Sequence, residues 1–302
     1  NPDSFELLAA MEAIAGRYQL WASFVDTLDV DLEMHGSSEF RQHVLHRLGA
    51  LCADMLSNPE RAVGYFELAL SYQGDDAETI QALESLYAKL QRFSQLADLL
   101  KKSVELTADP QAQAKILERL AVVQAEHLHD KAAALRSHKS ILDLDPSHPI
   151  SLRAMQALYT DLQDFNALAD NLAYQISVLV DPVEQLRLHT EMARLCTQQL
   201  HDVDGAVLHW QRVLELSADH LEACTTLETL LTDRERWQEL TNLYEQRLSH
   251  TQDLKQKAEI NRRLGWVLGD KLGRTADALL NWLKVLEVDD KNLEALHNLY
   301  RL

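Results

Sequence analysis

Residues 41–70 read RQHVLHRLGALCADMLSNPERAVGYFELAL, and this stretch decides the fold. Apolar residues recur at helical spacing from Arg41 to Met55. Ser57-Asn58-Pro59 then breaks the pattern with residues that favour turns. A second helical segment follows, carrying Ala62, Phe66, Ala69 and Leu70. The hairpin returns three more times without insertion or deletion. Ala62, Ala134, Ala206 and Ala278 lie 72 residues apart, as do Leu48, Leu120, Met192 and Leu264, and Leu70, Leu142, Leu214 and Leu286. Trp21, Phe93, Phe165 and Trp237 keep the same period at another position. Self-similarity at a fixed period marks stacked repeats, each burying its apolar face against its neighbours.

Each unit of 72 residues divides into two helical hairpins, an alanine hairpin like 41–70 and a leucine hairpin. Later alanine hairpins break at His129-Asp130, His201-Asp202 and Gly273-Arg274. Asp109-Pro110 and Asp181-Pro182 each place a capping acceptor before a proline suited to a first helical position, and Asp253 continues the capping site. The periodicity predicts one domain over 1–302, with a leucine-type hairpin at 1–36. Repeat units follow at 37–108, 109–180 and 181–252, with a partial unit at 253–302.

The alanine hairpins resemble tetratricopeptide repeats, whose pattern is Leu-Gly on the first helix and Ala-x3-aromatic on the second. Leu48-Gly49 with Ala62-x3-Phe66, and Leu264-Gly265 with Ala278-x3-Trp282, carry the resemblance. Met192-Ala193 with Ala206-x3-Trp210 adds to it, and so does Leu120-Ala121 with Ala134, although His138 stands where a ring is usual. The leucine hairpins depart from the pattern. Phe24, Leu96, Leu168 and Leu240 open the second helix where a small residue is expected, and Glu84, Gln156 and Glu228 replace a small residue on the first. The resemblance implies an all-α, right-handed α-solenoid of stacked antiparallel helix pairs, about eight hairpins plus one partial.

Asn1-Pro2 aligns with Asp145-Pro146, which closes an alanine hairpin, and Leu293–Leu302 aligns with the start of a leucine-hairpin first helix. The expectation is a segment of a longer repeat protein. No signal peptide is visible, but a truncated N-terminus would hide one, so this absence decides nothing; a cytoplasmic setting is the expectation, with a periplasmic or secreted one open. No run approaches the roughly 18 apolar residues of a membrane span, so membrane insertion is not expected.

The net charge of −18 is uneven. Residues 1–40 carry eight acids and one base, 183–254 thirteen acids and six bases, and 255–302 nine bases and seven acids. Nucleic-acid binding needs a cationic surface and is not expected. Asp26, Asp29, Asp31 and Glu33 form the densest acidic stretch, which reads as a solvated helix face or a dock for a basic segment. Cys52, Cys196 and Cys224 show neither metal-ligand nor redox spacing and read as small buried hydrophobes.

Catalytic signatures are missing: no phosphate-cradling glycine loop, no Gly-x-Ser-x-Gly elbow and no His-Glu-x-x-His helix occur. His43 and His46 share a helix face without a third or fourth ligand, and His148 and His220 recur at a helix start. Gly265, Gly269 and Gly273 read as close packing plus a turn. No cofactor, metal or catalytic residue is therefore expected.

In tetratricopeptide stacks the first helix of each hairpin lines the concave surface. The resemblance thus implies that Glu118, Glu126, Arg187, Arg194, Arg262, Trp266 and Asp270 face a groove, joined by Gln81, Ser85 and Thr229 of the leucine hairpins. Arg262 and Trp266 are the anchor candidates by residue type. The function expected is a non-enzymatic scaffold or adaptor holding a protein or peptide, with a basic one complementing the acidic surface. The alternatives are a homo-oligomer built head-to-tail through uncapped ends and the regulatory arm of a larger protein.

Overall fold

The computed structural model describes residues 4–32, 37–72 and 74–302, which contain seventeen helices and no strand. Asn1-Pro2, Glu33 and the Asp31 side chain lie outside the described part. Two compact units divide the chain, Asn1–Ala154 and Met155–Leu302. The first holds α1 (Phe5–Tyr18), α2 (Trp21–Leu32), α3 (Ser38–Asp54), α4 (Pro59–Tyr72), α5 (Ala77–Lys89), α6 (Phe93–Leu106), α7 (Pro110–Val122), α8 (Lys131–Leu144) and the first residues of α9 (Pro149–Leu162). The second holds the rest of α9 with α10 (Phe165–Val178), α11 (Pro182–Leu195), α12 (Val203–Leu216), α13 (Leu221–Asp233), α14 (Trp237–His250), α15 (Leu254–Trp266), α16 (Thr275–Val288) and α17 (Leu293–Arg301). Within each unit the chain is an all-α array in which a helix packs on its neighbours in sequence.

The turns repeat as faithfully as the helices. Gln19, Gln91, Gln163 and Glu235 all adopt left-handed backbone between the helices of leucine hairpins, and Ser57, His129, His201 and Gly273 do so in alanine hairpins. A left-handed residue just past a helix end lets the next amides bond back to its orphan carbonyls. Here the Asn58, Asp130, Asp202 and Arg274 amides reach the Cys52, Gln124, Cys196 and Leu268 carbonyls, six residues back, while the Leu128 and Leu272 amides just before the left-handed residue reach Val123 and Val267, five back. The first helices of the last three alanine hairpins accordingly end in one π-helical turn, at Val123–His127, Cys196–Leu200 and Val267–Lys271.

Capping follows the sequence expectation. Asp109 accepts from the Gln111 and Ala112 amides, Asp181 from Glu184, and Asp253 from Lys255 and Gln256. A second capping column runs through the leucine hairpins at Ser4, Asp76, His220 and Asn292. His148 belongs to it: its Nδ1 accepts from the Ser151 amide at 3.3 Å, as the His220 ring does from Ala223 at 3.2 Å. The recurrence of these histidines therefore has a capping cause.

The alanine columns are the core. Ala62, Ala134, Ala206 and Ala278 are all 0% exposed, and Leu48, Leu120, Met192 and Leu264 are buried beside them. Full burial of a side chain such as Leu48 contributes roughly 1.5–3 kcal/mol. A methyl group added at Gly49 would stand 2.8 Å from the Phe66 ring, and one at Gly265 would stand 2.9 Å from Trp282. The small residue of one helix thus receives the ring of its partner. His138 occupies the ring site of its hairpin, buried, with Nδ1 3.2 Å from the Ser151 hydroxyl. Cys52, Cys196 and Cys224 are buried free thiols, and burial pushes all three up in pKa.

Two of the periodic aromatics, Phe93 and Trp237, pack on π-turns. The Phe93 ring stacks on His127 at 3.9 Å with the planes 2° apart. Two repeats later, Lys271 takes the corresponding place over Trp237.

Candidate binding face on the first helices

Successive first helices meet along seams, and the seams are ionic. Glu12 of α1 binds Arg47 of α3, with Arg47 Nε 2.8 Å from the carboxylate. Glu84 of α5 pairs with Arg119 of α7, and Glu228 of α13 with Arg263 of α15. Partners lie 35 residues apart in each case, and successive rungs use equivalent repeat positions. The third rung exchanges its chemistry. There the Gln156 amide donates to Glu191, whose carboxylate also takes Arg187 Nη1 at 2.7 Å. The carboxylates are mostly covered, with Glu84 11% exposed, whereas Arg119 is 54% exposed. A carboxylate in that position needs a partner. This accounts for the divergence of the leucine hairpins: the small residue of the tetratricopeptide pattern gives way to the acid half of a rung.

Two grooves open beside the seams. One, of about 750 Å³, lies among α5, the end of α6 and α7, floored by Ile80, Leu106 and Ile116 and edged by Gln81, Glu84 and Arg119. The other, of about 420 Å³, lies between α15 and the end of α16, with Ala258, Val285 and Val288 below and Lys255, Glu259 and Arg262 at the rim.

Of the residues expected to face a groove, Arg262 lines the second directly. It binds Glu259 at 2.8 Å and reaches Glu294 of α17 at 3.2 Å. Hydrogen bonds from Arg262, joined by Arg263, hold the Glu259 carboxyl at about 2 against desolvation. Arg187 spans Glu184 at 2.9 Å and Glu191 at 2.7 Å on its own helix. Arg194 pairs with Glu222 at the start of α13, and this hydrogen bond lowers the Glu222 pKa. Asp270 accepts from Arg301 at 2.7 Å, which lowers its pKa likewise. Glu118 lies 3.1 Å from His148 Nε2. Trp266, 37% exposed, meets the Trp237 ring edge-on at 6.0 Å, and Glu126 is exposed on the π-turn after α7. Most of these residues lie along the seams of their own unit, already engaged with partners. Gln81 and Ser85 line the larger groove, and Thr229 bonds back to the Thr225 carbonyl.

Sequence reasoning missed the rungs, although the acid and arginine columns were visible at a constant offset of 35. It also missed the part-buried pair His189–His209, whose Nδ1 atoms lie 2.9 Å apart between α11 and α12. His43 packs edge-on against Phe5 and His46 against Phe66. No group of three or more metal-ligating side chains occurs among the described residues.

Small-residue sites at Gly49 and Gly265 of the alanine hairpins are filled by the ring of the partner helix, on paired helices joined by left-handed turns. The chain has a tetratricopeptide-like helical-repeat fold. Similar solved structures include the C-terminal part of a TPR repeat-containing protein from Cytophaga hutchinsonii, 13% identical, covering 84% of this chain and 99% of that one with a TM-score of 0.38. Another is YrrB, a TPR protein with an unusual peptide-binding site, 17% identical over 68% of this chain and 100% of that one, TM-score 0.35. A third is Naa15/Naa10 bound to HypK-THB, 14% identical over 96% of this chain and 43% of that one, TM-score 0.49. No protein-family model and no curated protein matches the chain. No described helix of this tetratricopeptide-like array is long and apolar enough to cross a membrane.

Proposed function

We propose that the chain is a non-enzymatic interaction scaffold that holds a peptide or protein segment along the face made by its first helices. The groove among α5, α6 and α7 carries this reading. It has an apolar floor for one or two side chains and a polar rim, Gln81, Ser85, Glu84 and Arg119, able to bond an extended backbone. The groove at Arg262 offers a second such seat. Arg262 at the second seat is engaged within the chain, but part-exposed pairs such as its pairs with Glu259 and Glu294 are each worth only about 0–1 kcal/mol. A partner's charges can exchange with them at small cost. A basic segment suits the acidic surplus.

The test is capture of partners by the intact protein, followed by identification and recapture with purified components. Arg262→Glu, and separately Ile80→Glu, are expected to lose capture, while Lys139→Glu on the exposed side of α8 retains it. Capture that survives both groove variants and disappears in the α8 variant overturns the reading. Self-association is a second reading, motivated by Leu293 and Tyr300, which stand 81% and 94% exposed on α17. Sedimentation of the wild type and Tyr300→Glu decides it: a single concentration-independent species for both removes self-association.

A further inference from the structure

Trp237 at the start of α14 and Trp266 at the end of α15 present ring faces at 88° to one another, centroids 6.0 Å apart. The Lys271 ammonium sits over both rings, 4.9 Å from the Trp237 centroid and 5.2 Å from that of Trp266. Lys271 is exposed and closes the π-turn Val267–Lys271, so its side chain has solvent to swing into. Two indole walls meeting at a right angle around an ammonium are the arrangement that attracts alkylammonium groups through the ring quadrupoles. The other repeats do not build it. Positions equivalent to Trp266 hold Ala50, Val122 and Arg194, and those equivalent to Lys271 hold Met55, His127 and Gln199.

We infer that Trp237 and Trp266 form a receiving site for the alkylammonium group of a lysine side chain on a protein partner, with Lys271 as a built-in occupant that the incoming side chain displaces. A methylated lysine is the favoured occupant, because methylation keeps the charge while removing N–H groups that water would otherwise hold. The site shares Trp266 with the binding face proposed above but needs neither groove. Loss of groove binding and loss of cation binding are therefore separate results.

The test follows the five indole N–H signals of the full chain in 1H–15N correlation spectra. The probes are an acetylated Ala-Lys-Ala amide trimethylated on the lysine, the same peptide with norleucine, and choline. The Trp237 and Trp266 signals are expected to shift saturably with the trimethyllysine peptide alone, while those of the buried Trp210 and Trp282 stay in place. Lys271→Ala is expected to tighten binding about fivefold by removing the internal competitor. Trp266→Phe, which keeps a ring and whose folding is checked by melting, is expected to weaken it. No saturable shift in Lys271→Ala, or equal shifts with the norleucine peptide, overturns the site. Choline binding tighter than the peptide overturns its assignment to a protein side chain.

Discussion

Glu84 on α5 and Arg119 on α7 form an ion pair across the seam between two hairpins, 35 residues apart in sequence. The acid is mostly covered and the base mostly exposed, so the two halves are unequal. Removing the arginine strands a covered carboxylate, whereas removing both restores the small-residue pattern of the alanine hairpins. Arg119→Ala is expected to lower stability by about 1–2 kcal/mol. The Glu84→Ala, Arg119→Ala double variant is expected to recover most of that loss. Urea denaturation of the full chain, fitted for each arm of the cycle, measures the coupling. A double variant weaker than either single one removes the ladder interpretation.

Two glycines on neighbouring helices should respond to alanine in opposite directions. A methyl at Gly49 meets the Phe66 ring at 2.8 Å, while at Gly64 on α4 nothing lies within 4 Å. Gly49→Ala is expected to cost about 1–2 kcal/mol through overpacking. Gly64→Ala is expected to stabilise by roughly 0.5–1 kcal/mol through helix propensity. Thermal melts of the two variants provide the comparison.

The pair His189–His209 predicts an acid sensitivity. Burial lowers both pKa values below the ordinary histidine range, and His138 moves the same way. Below the unfolded value of about 6.5 the unfolded chain binds more protons than the folded one, so stability falls as pH drops. It is fully present above that value and lost toward the folded pKa. Replacing the pair by the residues of the preceding repeat, His189→Leu with His209→Ser as at Leu117 and Ser137, is expected to flatten the decline in melting temperature between pH 7 and 5. His138 leaves part of it in place.

The left-handed turns give the fourth prediction. His201 and Gly273 occupy equivalent positions with φ of 53° and 67°. A side chain there costs about 1 kcal/mol that glycine avoids. His201→Gly is accordingly expected to raise the denaturation midpoint and Gly273→His to lower it.

Much of this architecture was legible because repetition amplifies weak signals. One Ala62 says little, whereas four alanines in register specify a close helix contact, and all four are fully buried. Asp109, Asp181 and Asp253 announced helix starts for the same reason. The binding face was less legible. Arg194 looks like a free anchor along the chain, but its carboxylate partner Glu222 sits 28 residues away on the next first helix, and Arg262, close to Glu259 in sequence, also reaches Glu294, 32 residues away. Trp266 was singled out by residue type alone. Its company with Trp237 and Lys271 depends on where the π-turn carries the end of α15, which periodicity at 3.6 residues does not encode.

The rungs also bear on kinetics. Every one joins chain segments only 35 positions apart, so no stretch must search past a distant part of the polypeptide to find its mate. Loop-closure entropy stays small at each step. Assembly can start at any hairpin and spread outward, and loosening can begin at one hairpin while others hold.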